Sequence, residues 1–328
     1  MGRLLPLFPE AAASPTLREV ADAVRLAGVE GLPDARERAD RARYQEVHVR
    51  SALTAPKGMG FKWALNPYRG CTHACEYCYA RKYQKHLELD AGDAFSSVIF
   101  VKRNLPDVLR RELTRGAWRR ELVAIGTATD PYQPIEGHYR ITRRCLEVLV
   151  EAETPFSIVT KGPMVVRDLD VLARSGTCRV YLSVPSVDEA AWTQLEPGTA
   201  SPAQRLRAAK ALADAGVDAA VLMMPLVPGI TTSRRSIERT VEAIASAGVP
   251  LAGAGVAHLE AGVREYFFGF LSRAYPELLE GYERLYTGSY ASGAYVDAVK
   301  EVVAGAKARA TAEAATPVRS GPAGSSAP

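Results

Sequence analysis

The chain reads as an α/β protein: a parallel sheet of βα units that curls into a full or partial barrel, flanked by an N-terminal extension and C-terminal helices. Three observations predict it. From residue 61 on, short β-rich runs alternate with helical stretches of about 10–15 residues, the pattern of βα units and a parallel sheet. Such crossovers are right-handed, so six or seven of them curl the sheet. Gly216, Gly248 and Gly176 stand just past the expected helix ends, where C-terminal caps favour glycine. A hydrophobic content of 47% over 328 residues supplies a core for one large domain or two smaller ones.

In chain order, residues 1–60 read as an extension. Within it, residues 16–26 have helical apolar spacing and residues 34–50 are densely charged, which predicts an amphipathic cover or flexible lead. The barrel is expected over residues 61–260. Its strands are expected over residues 63–68, 97–102, 122–128, 156–160, 180–184, 219–224 and 251–257, and its helices over residues 105–115, 142–153, 166–175, 202–215 and 233–247. Thr142 reads as an N-cap. Ile141, Cys145, Val148 and Leu149 share one helical face, so Cys145 reads as core, and Cys178 at a strand start also reads as structural. Residues 261–302 form an expected helical cap, with helices over residues 264–275 and 276–285 that pack Phe267, Phe268, Phe270 and Leu271 onto the barrel. The Ala-rich tail over residues 303–328 lacks the composition for a core and is expected to be disordered.

Charge narrows the function classes. Lys and Arg number 41 against 37 Asp and Glu, and a net charge of +4 is too small to argue for nucleic acid by itself. Basic clusters at residues 36–43, 110–120 and 140–144 could meet phosphates, although the first also holds Glu37 and Asp40. No apolar run approaches the ~20 residues of a membrane span. The N-terminus is broken by prolines and too short in apolar residues for a signal peptide. Five cysteines, an odd number, argue against a disulfide framework and for a reducing cytoplasm.

Three of those cysteines, Cys71, Cys75 and Cys78, lie in one short loop spaced Cys-x-x-x-Cys-x-x-Cys. The loop follows the first expected strand, at the sheet edge where α/β folds place their chemistry. Thiolates are the usual ligands of iron–sulfur clusters, and a four-iron cluster held wholly by protein takes four of them. Three leave one iron open to a ligand that is not protein. The competing reading is a structural zinc site with His73 as fourth ligand. Zinc sites, however, pair two separated ligand couples, and His73 lies inside the first cysteine spacing.

Other polar groups fall at the same edge. Gly126-Thr-Ala-Thr-Asp-Pro-Tyr-Gln-Pro-Ile-Glu136 presents Thr127, Thr129, Asp130, Gln133 and Glu136 on a loop stiffened by two prolines. Lys161 ends the fourth expected strand, where an ammonium can pair with a carboxylate. Ser183-Val-Pro-Ser186 ends the fifth, followed by Glu196-Pro-Gly198 and Arg205, and Pro225-Leu-Val-Pro-Gly229 ends the sixth. These turns read either as ordinary βα connections or as backbone contacts to an adenine edge.

The cysteine spacing, with aromatic Tyr77 before the last cysteine, resembles the signature of the radical S-adenosylmethionine (SAM) superfamily. Over residues 61–273 the chain resembles its spore photoproduct lyase-like branch, often labelled DNA repair photolyase-like. Asn66-Pro-Tyr-Arg-Gly70, Cys78-Tyr-Ala-Arg81, Thr129-Asp-Pro-Tyr-Gln-Pro134, Thr160-Lys161, Arg167-Asp168 and Glu196-Pro197 carry that likeness. The resemblance implies a partial (β/α)6 barrel and a 4Fe–4S cluster on Cys71, Cys75 and Cys78. It also implies reductive cleavage of SAM to methionine and a 5′-deoxyadenosyl radical, with flavodoxin or ferredoxin as electron donor. Thr129, Lys161 and Ser183 match the lyase's SAM contacts, and Tyr77 and Tyr79 flank the last cysteine. One departure stands out. Thr127 occupies the position of the lyase's hydrogen-donor cysteine, and its O–H bond is too strong to donate to a carbon radical. Spore photoproduct is therefore not the expected substrate. Nucleic-acid repair or modification and a non-catalytic metal-binding role stand as alternatives.

Overall fold

The computed structural model describes residues 42–56, 59–87 and 93–315. Its strands are β1 (Arg43–Val47), β2 (Leu53–Thr54), β3 (Trp63–Leu65), β4 (Tyr68–Arg69), β5 (Val98–Lys102), β6 (Val123–Ile125), β7 (Phe156–Thr160), β8 (Cys178–Ser183), β9 (Ala219–Leu226) and β10 (Leu251–Val256). Six of them, β3, β6, β7, β8, β9 and β10, lie side by side in sequence order and all parallel, the wall of a partial (β/α)6 barrel. β2 pairs antiparallel with β3 at the edge.

The helices form where their apolar faces meet this wall. Ile141, Cys145, Val148 and Leu149 of Ile141–Glu151 are all buried, as their spacing predicts. Pro202–Asp214 starts with a full capping box on Ser201 and Gln204. Arg234–Ser246 is capped by the Ser233 hydroxyl. Gly216 and Gly248 follow these two helices in the left-handed conformation expected of them; Gly176 does not adopt it.

Several expectations are revised. Residues 97–102 do not join the parallel sheet. β5 instead lies between β1 and β4 in a separate three-stranded sheet. β3 pairs directly with β6, so the barrel has no place for β5. Its alternating burial suits a small sheet with one covered face, where Ile99 and Val101 enter the core. The charged lead contributes β1, an edge strand parallel to β5. The strand expected over residues 63–68 splits into β3 and β4 around Pro67, which has no N–H to give a ladder. Residues 166–175 form a 3-10 turn, Pro163–Asp168, and a short helix, Leu169–Leu172.

Thr142 is not a cap. The Glu136 carboxylate accepts the N–H groups of Thr142 (3.0 Å) and Arg143 (3.2 Å), and the Thr142 hydroxyl donates to the Pro131 carbonyl (2.5 Å). The tail expected from residue 303 is helical much further: Gly293–Ala315 is one helix. Its small residues allow close approach, burying Ala306, while Lys307 Nζ donates to the Leu251 carbonyl (3.1 Å). Residues 16–26 and 316–328 lie outside the described residues. Phe267, Phe270 and Leu271 of the helix Val263–Ala274 bury together with Cys75 and Tyr77, so the C-terminal helices cover the cysteine loop. Among the described residues, no helix is long and apolar enough to cross a membrane.

Candidate functional site

The cysteine loop leaves β4 at the C-terminal edge of the barrel and is held from every side. Its start is anchored by the Cys71 N–H on the Phe95 carbonyl (3.0 Å). Two short turns follow, Ala74 N–H to the Cys71 carbonyl (3.3 Å) and Cys78 N–H to the Cys75 carbonyl (3.2 Å). Ala74 sits at φ +52°, uncommon for a residue with a side chain, so the loop is maintained by its surroundings. Arg81 is one of them. Its buried guanidinium donates to the carbonyls of Cys75 (3.1 Å) and Ala74 (3.0 Å) and lies 3.9 Å from the Tyr266 ring centre. Charge-assisted bonds and the ring face together make it a rigid pin.

Beneath the loop lies the segment after β6. Gln133 accepts the Thr72 N–H (3.1 Å) and donates to the Gly70 carbonyl (3.2 Å) and to the Thr129 hydroxyl (3.0 Å). Thr129 donates to the same Gly70 carbonyl (2.6 Å). Asp130 pairs with His73 (3.3 Å) and accepts the Thr160 hydroxyl (2.6 Å) and the Lys161 N–H (2.7 Å). Burial works to raise its pKa, but His73 and these hydrogen bonds outweigh it and hold Asp130 at about 2.

The turn after the helix Glu189–Leu195 presses on the outer side. Glu76 N–H donates to the Leu195 carbonyl (2.9 Å) and Gly198 N–H to the His73 carbonyl (3.1 Å). A β-carbon on Gly198 would stand 2.2 Å from the Thr72 carbonyl oxygen, a backbone atom that cannot swing away. Gly198→Ala is therefore expected to cost about 1–3 kcal/mol, the usual range for overpacking, and to loosen the loop. Chemical unfolding of the metal-free protein measures the first, and iron content after reconstitution the second.

Glu196 in this turn is a hub. Its carboxylate receives the Tyr77 hydroxyl and the Arg205 guanidinium and lies 3.7 Å from the Lys161 ammonium. Arg205 also donates to the Ser183 carbonyl (2.9 Å), while the Ser183 hydroxyl donates to the Met224 carbonyl (2.8 Å). Lys161 Nζ lies 5.7 Å from the Tyr77 ring centre and makes no hydrogen bond among the described residues. Burial disfavours its charge, yet Glu196 and the neighbouring Cys75 more than compensate, so its pKa lies above the usual lysine value. Two cations, the partly buried Lys161 and the buried Arg205, face one carboxylate here. The surplus positive charge favours an anionic ligand.

The residues fit an iron–sulfur group. Burial pushes the Cys71 thiol well up, with Asp130, Cys75 and Cys78 adding to the effect, and takes Cys75 to about 12 against the pull of Lys161. A bound metal's charge would draw these buried thiols to the thiolate form that ligates iron. Two buried atoms of the same loop, Thr72 Oγ1 and Glu76 Oε2, have no hydrogen-bond partner among the described residues, which leaves polar capacity for a bound group. A zinc site fits poorly. Its ligands converge on one ion, whereas among the described residues no three His, Cys, Asp or Glu side chains do so, and His73 is engaged by Asp130. In a cluster each cysteine holds its own iron, so the sulfurs need not converge.

Residues 65–244, more than half of the chain, match the Radical SAM superfamily. The chain belongs to the radical SAM superfamily. An uncharacterized protein of Mycobacterium tuberculosis is 37% identical over 272 residues, covering 81% of this chain and 80% of that one. A radical SAM Nalpha-GlyT isomerase of Pseudomonas phage M6 is 26% identical over 185 residues, 56% of this chain and 36% of that one. The structure of spore photoproduct lyase complexed with dinucleoside spore photoproduct superposes with a TM-score of 0.63 at 18% identity, covering 84% of this chain and 82% of that one; the likeness is one of fold. This radical SAM enzyme thus uses SAM and an iron–sulfur cluster and needs an electron donor. When bound, the two together supply one-electron cleavage of SAM to methionine and a 5′-deoxyadenosyl radical, which abstracts hydrogen from a substrate.

Of the residues singled out in sequence, Tyr77 and Lys161 meet at Glu196, and Ser183 joins them through Arg205. Thr129 lies behind the loop, its hydroxyl committed to the Gly70 carbonyl. Thr127 is half-buried, with its hydroxyl bonded by Asn66 (3.1 Å) and its carbonyl by the Tyr79 hydroxyl. Arg81, Gln133, Glu196 and Arg205 carry roles that sequence reading missed. Arg81 and Glu196 stood in motifs noticed for their likeness, but what they touch lies elsewhere in the chain.

Proposed function

We propose that Cys71, Cys75 and Cys78 hold a 4Fe–4S cluster and that SAM completes the fourth iron, its carboxylate drawn to Lys161. The observation that carries this reading is the Lys161 ammonium. Its side chain is 16% exposed, has no hydrogen bond among the described residues, and stands 3.7 Å from its one ion-pair partner there, so its donors are free for a second carboxylate. Tyr77, fixed through Glu196, borders the same space. Ser183 contributes from the end of β8, and Thr129 serves by holding the Gly70 end of the cysteine loop. A flavodoxin or ferredoxin supplies the electron, in a reducing cytoplasm that suits five free cysteines. The test is anaerobic: reduced with dithionite, the reconstituted protein should convert SAM to 5′-deoxyadenosine and methionine, and absence of both products defeats the reading.

The substrate on this reading is not spore photoproduct. Thr127 cannot return a hydrogen atom as a thiol does, and Asn66 already holds its hydroxyl. A dinucleotide carrying the lesion is expected to yield little repaired thymine dinucleoside. Thr127→Cys should raise the yield if the pocket otherwise fits. Efficient repair by the unmodified protein would overturn this choice.

A second reading, a nucleic-acid substrate, is favoured by the free part of the basic clusters. Arg110, Arg120 and Arg143 are ion-paired, but Arg111, Arg115, Arg119, Arg140 and Arg144 show no ion pair among the described residues. Mobility shift with DNA and RNA at two salt concentrations separates the readings, because phosphate contacts weaken steeply with salt.

A further inference from the structure

We propose that the Thr72 hydroxyl donates a hydrogen bond to a sulfur of the iron–sulfur group and thereby raises its reduction potential. The inference rests on the cluster reading above and assigns a residue that reading does not use. Thr72 follows Cys71 and is 1% exposed, yet its Oγ1 has no partner among the described residues. A buried hydroxyl without an acceptor is costly, and such groups in folded proteins are nearly always satisfied.

The backbone that carries this hydroxyl is held in place. The Thr72 N–H is taken by Gln133 at 3.1 Å. Its carbonyl lies under Gly198, so close that a β-carbon there would be 2.2 Å away. The backbone two residues on is locked at φ +52° in Ala74. Threonine itself has few χ1 choices. The other orphan of the loop, Glu76 Oε2, is an acceptor, but the two are not bonded to each other. A group that occupies the loop would supply the acceptor, and the loop's three thiols point to a sulfur-rich one. Hydrogen bonds to cluster sulfurs set the potential. A donor stabilises the more negative, reduced state, so this one eases electron uptake.

The test compares the parent with Thr72→Val, which keeps the shape and loses the hydroxyl, and Thr72→Ser, which keeps it. Each is reconstituted with iron and sulfide and titrated potentiometrically by electron paramagnetic resonance. At the solution potential where half of the parent cluster is reduced, the reduced-to-oxidised ratio of Thr72→Val should be about tenfold lower, about 59 mV for one electron. Thr72→Ser should stay near the parent. Without metal, Thr72→Val should unfold no more easily than the parent, because the hydroxyl then has no partner to lose. Failure of Thr72→Val to load iron, with an unshifted metal-free midpoint and full loading of Thr72→Ser, also assigns the hydroxyl to the group. An equal ratio at equal iron content overturns the proposal, as does marked destabilisation of metal-free Thr72→Val. A parent that takes up no iron defeats the cluster reading itself.

Discussion

Cys71→Ala, Cys75→Ala and Cys78→Ala are each expected to abolish bound iron and sulfide, whereas Cys145→Ala and Cys178→Ala keep both. The parent should hold about four irons per chain, the count of the cubane type. The contrast follows from surroundings rather than from residue type, since all five cysteines are free. Cys145 is enclosed by the apolar face of its own helix, and the Cys178 thiol donates to the Leu172 carbonyl at 3.4 Å. Both are core sulfurs, and their loss should lower stability without touching metal content. Cys71 and Cys75 are buried too, but in the small apolar clusters around the loop rather than in the barrel core. Burial raises the pKa of Cys71 and Cys75, so each stays a neutral thiol until a bound metal's charge draws it to the thiolate. Removing one leaves two protein ligands for a group that needs three. Iron and acid-labile sulfide analysis after anaerobic reconstitution decides it, and normal iron in any of the three loop variants would sink the assignment.

Lys161→Ala is expected to weaken SAM binding by about 1–3 kcal/mol, the range of a charge-assisted hydrogen bond, or roughly five- to 150-fold in affinity. The loss is specific to the ligand. Among the described residues the Lys161 ammonium makes one ion pair, at 3.7 Å with Glu196, and lies near the Tyr77 ring; Arg205 and Tyr77 continue to satisfy Glu196 when the lysine is gone. Cluster content should therefore remain near the parent's. Lys161→Arg should not restore affinity fully, because a planar guanidinium fork presents its donors in a different geometry from a compact ammonium. Equilibrium dialysis of SAM against the reconstituted variants measures both effects. Unchanged affinity in the alanine variant would remove Lys161 from the site.

Much of this enzyme was legible along the chain because the signals are local. The spacing of Cys71, Cys75 and Cys78 lies within one loop, and loop chemistry needs only a few consecutive residues. The βα alternation marked the barrel strands because periodicity reports which face is buried, whatever the partner. Cys145 was recognisable as core for the same reason.

Pairing and support were decided only in three dimensions. Residues 98–102 have the composition of a barrel strand, but β3 takes β6 as its neighbour and β5 is left to β1 and β4. Strand composition says that one face must be covered and does not say by which strand. The alanine-rich segment after residue 303 looked unable to form a core, and alone it is. It is helical because Arg234–Ser246 and β10 provide the surface on which Ala306 is buried, and helices gain most of their stability from such packing. Glu196 looked like part of a turn, yet it joins Tyr77, 119 residues earlier, to Lys161 and Arg205. A buried carboxylate is tolerable only where opposite charges converge on it. That convergence comes from the parallel order of the strands, which brings the C-terminal ends of distant strands to one edge of the sheet beside the loop.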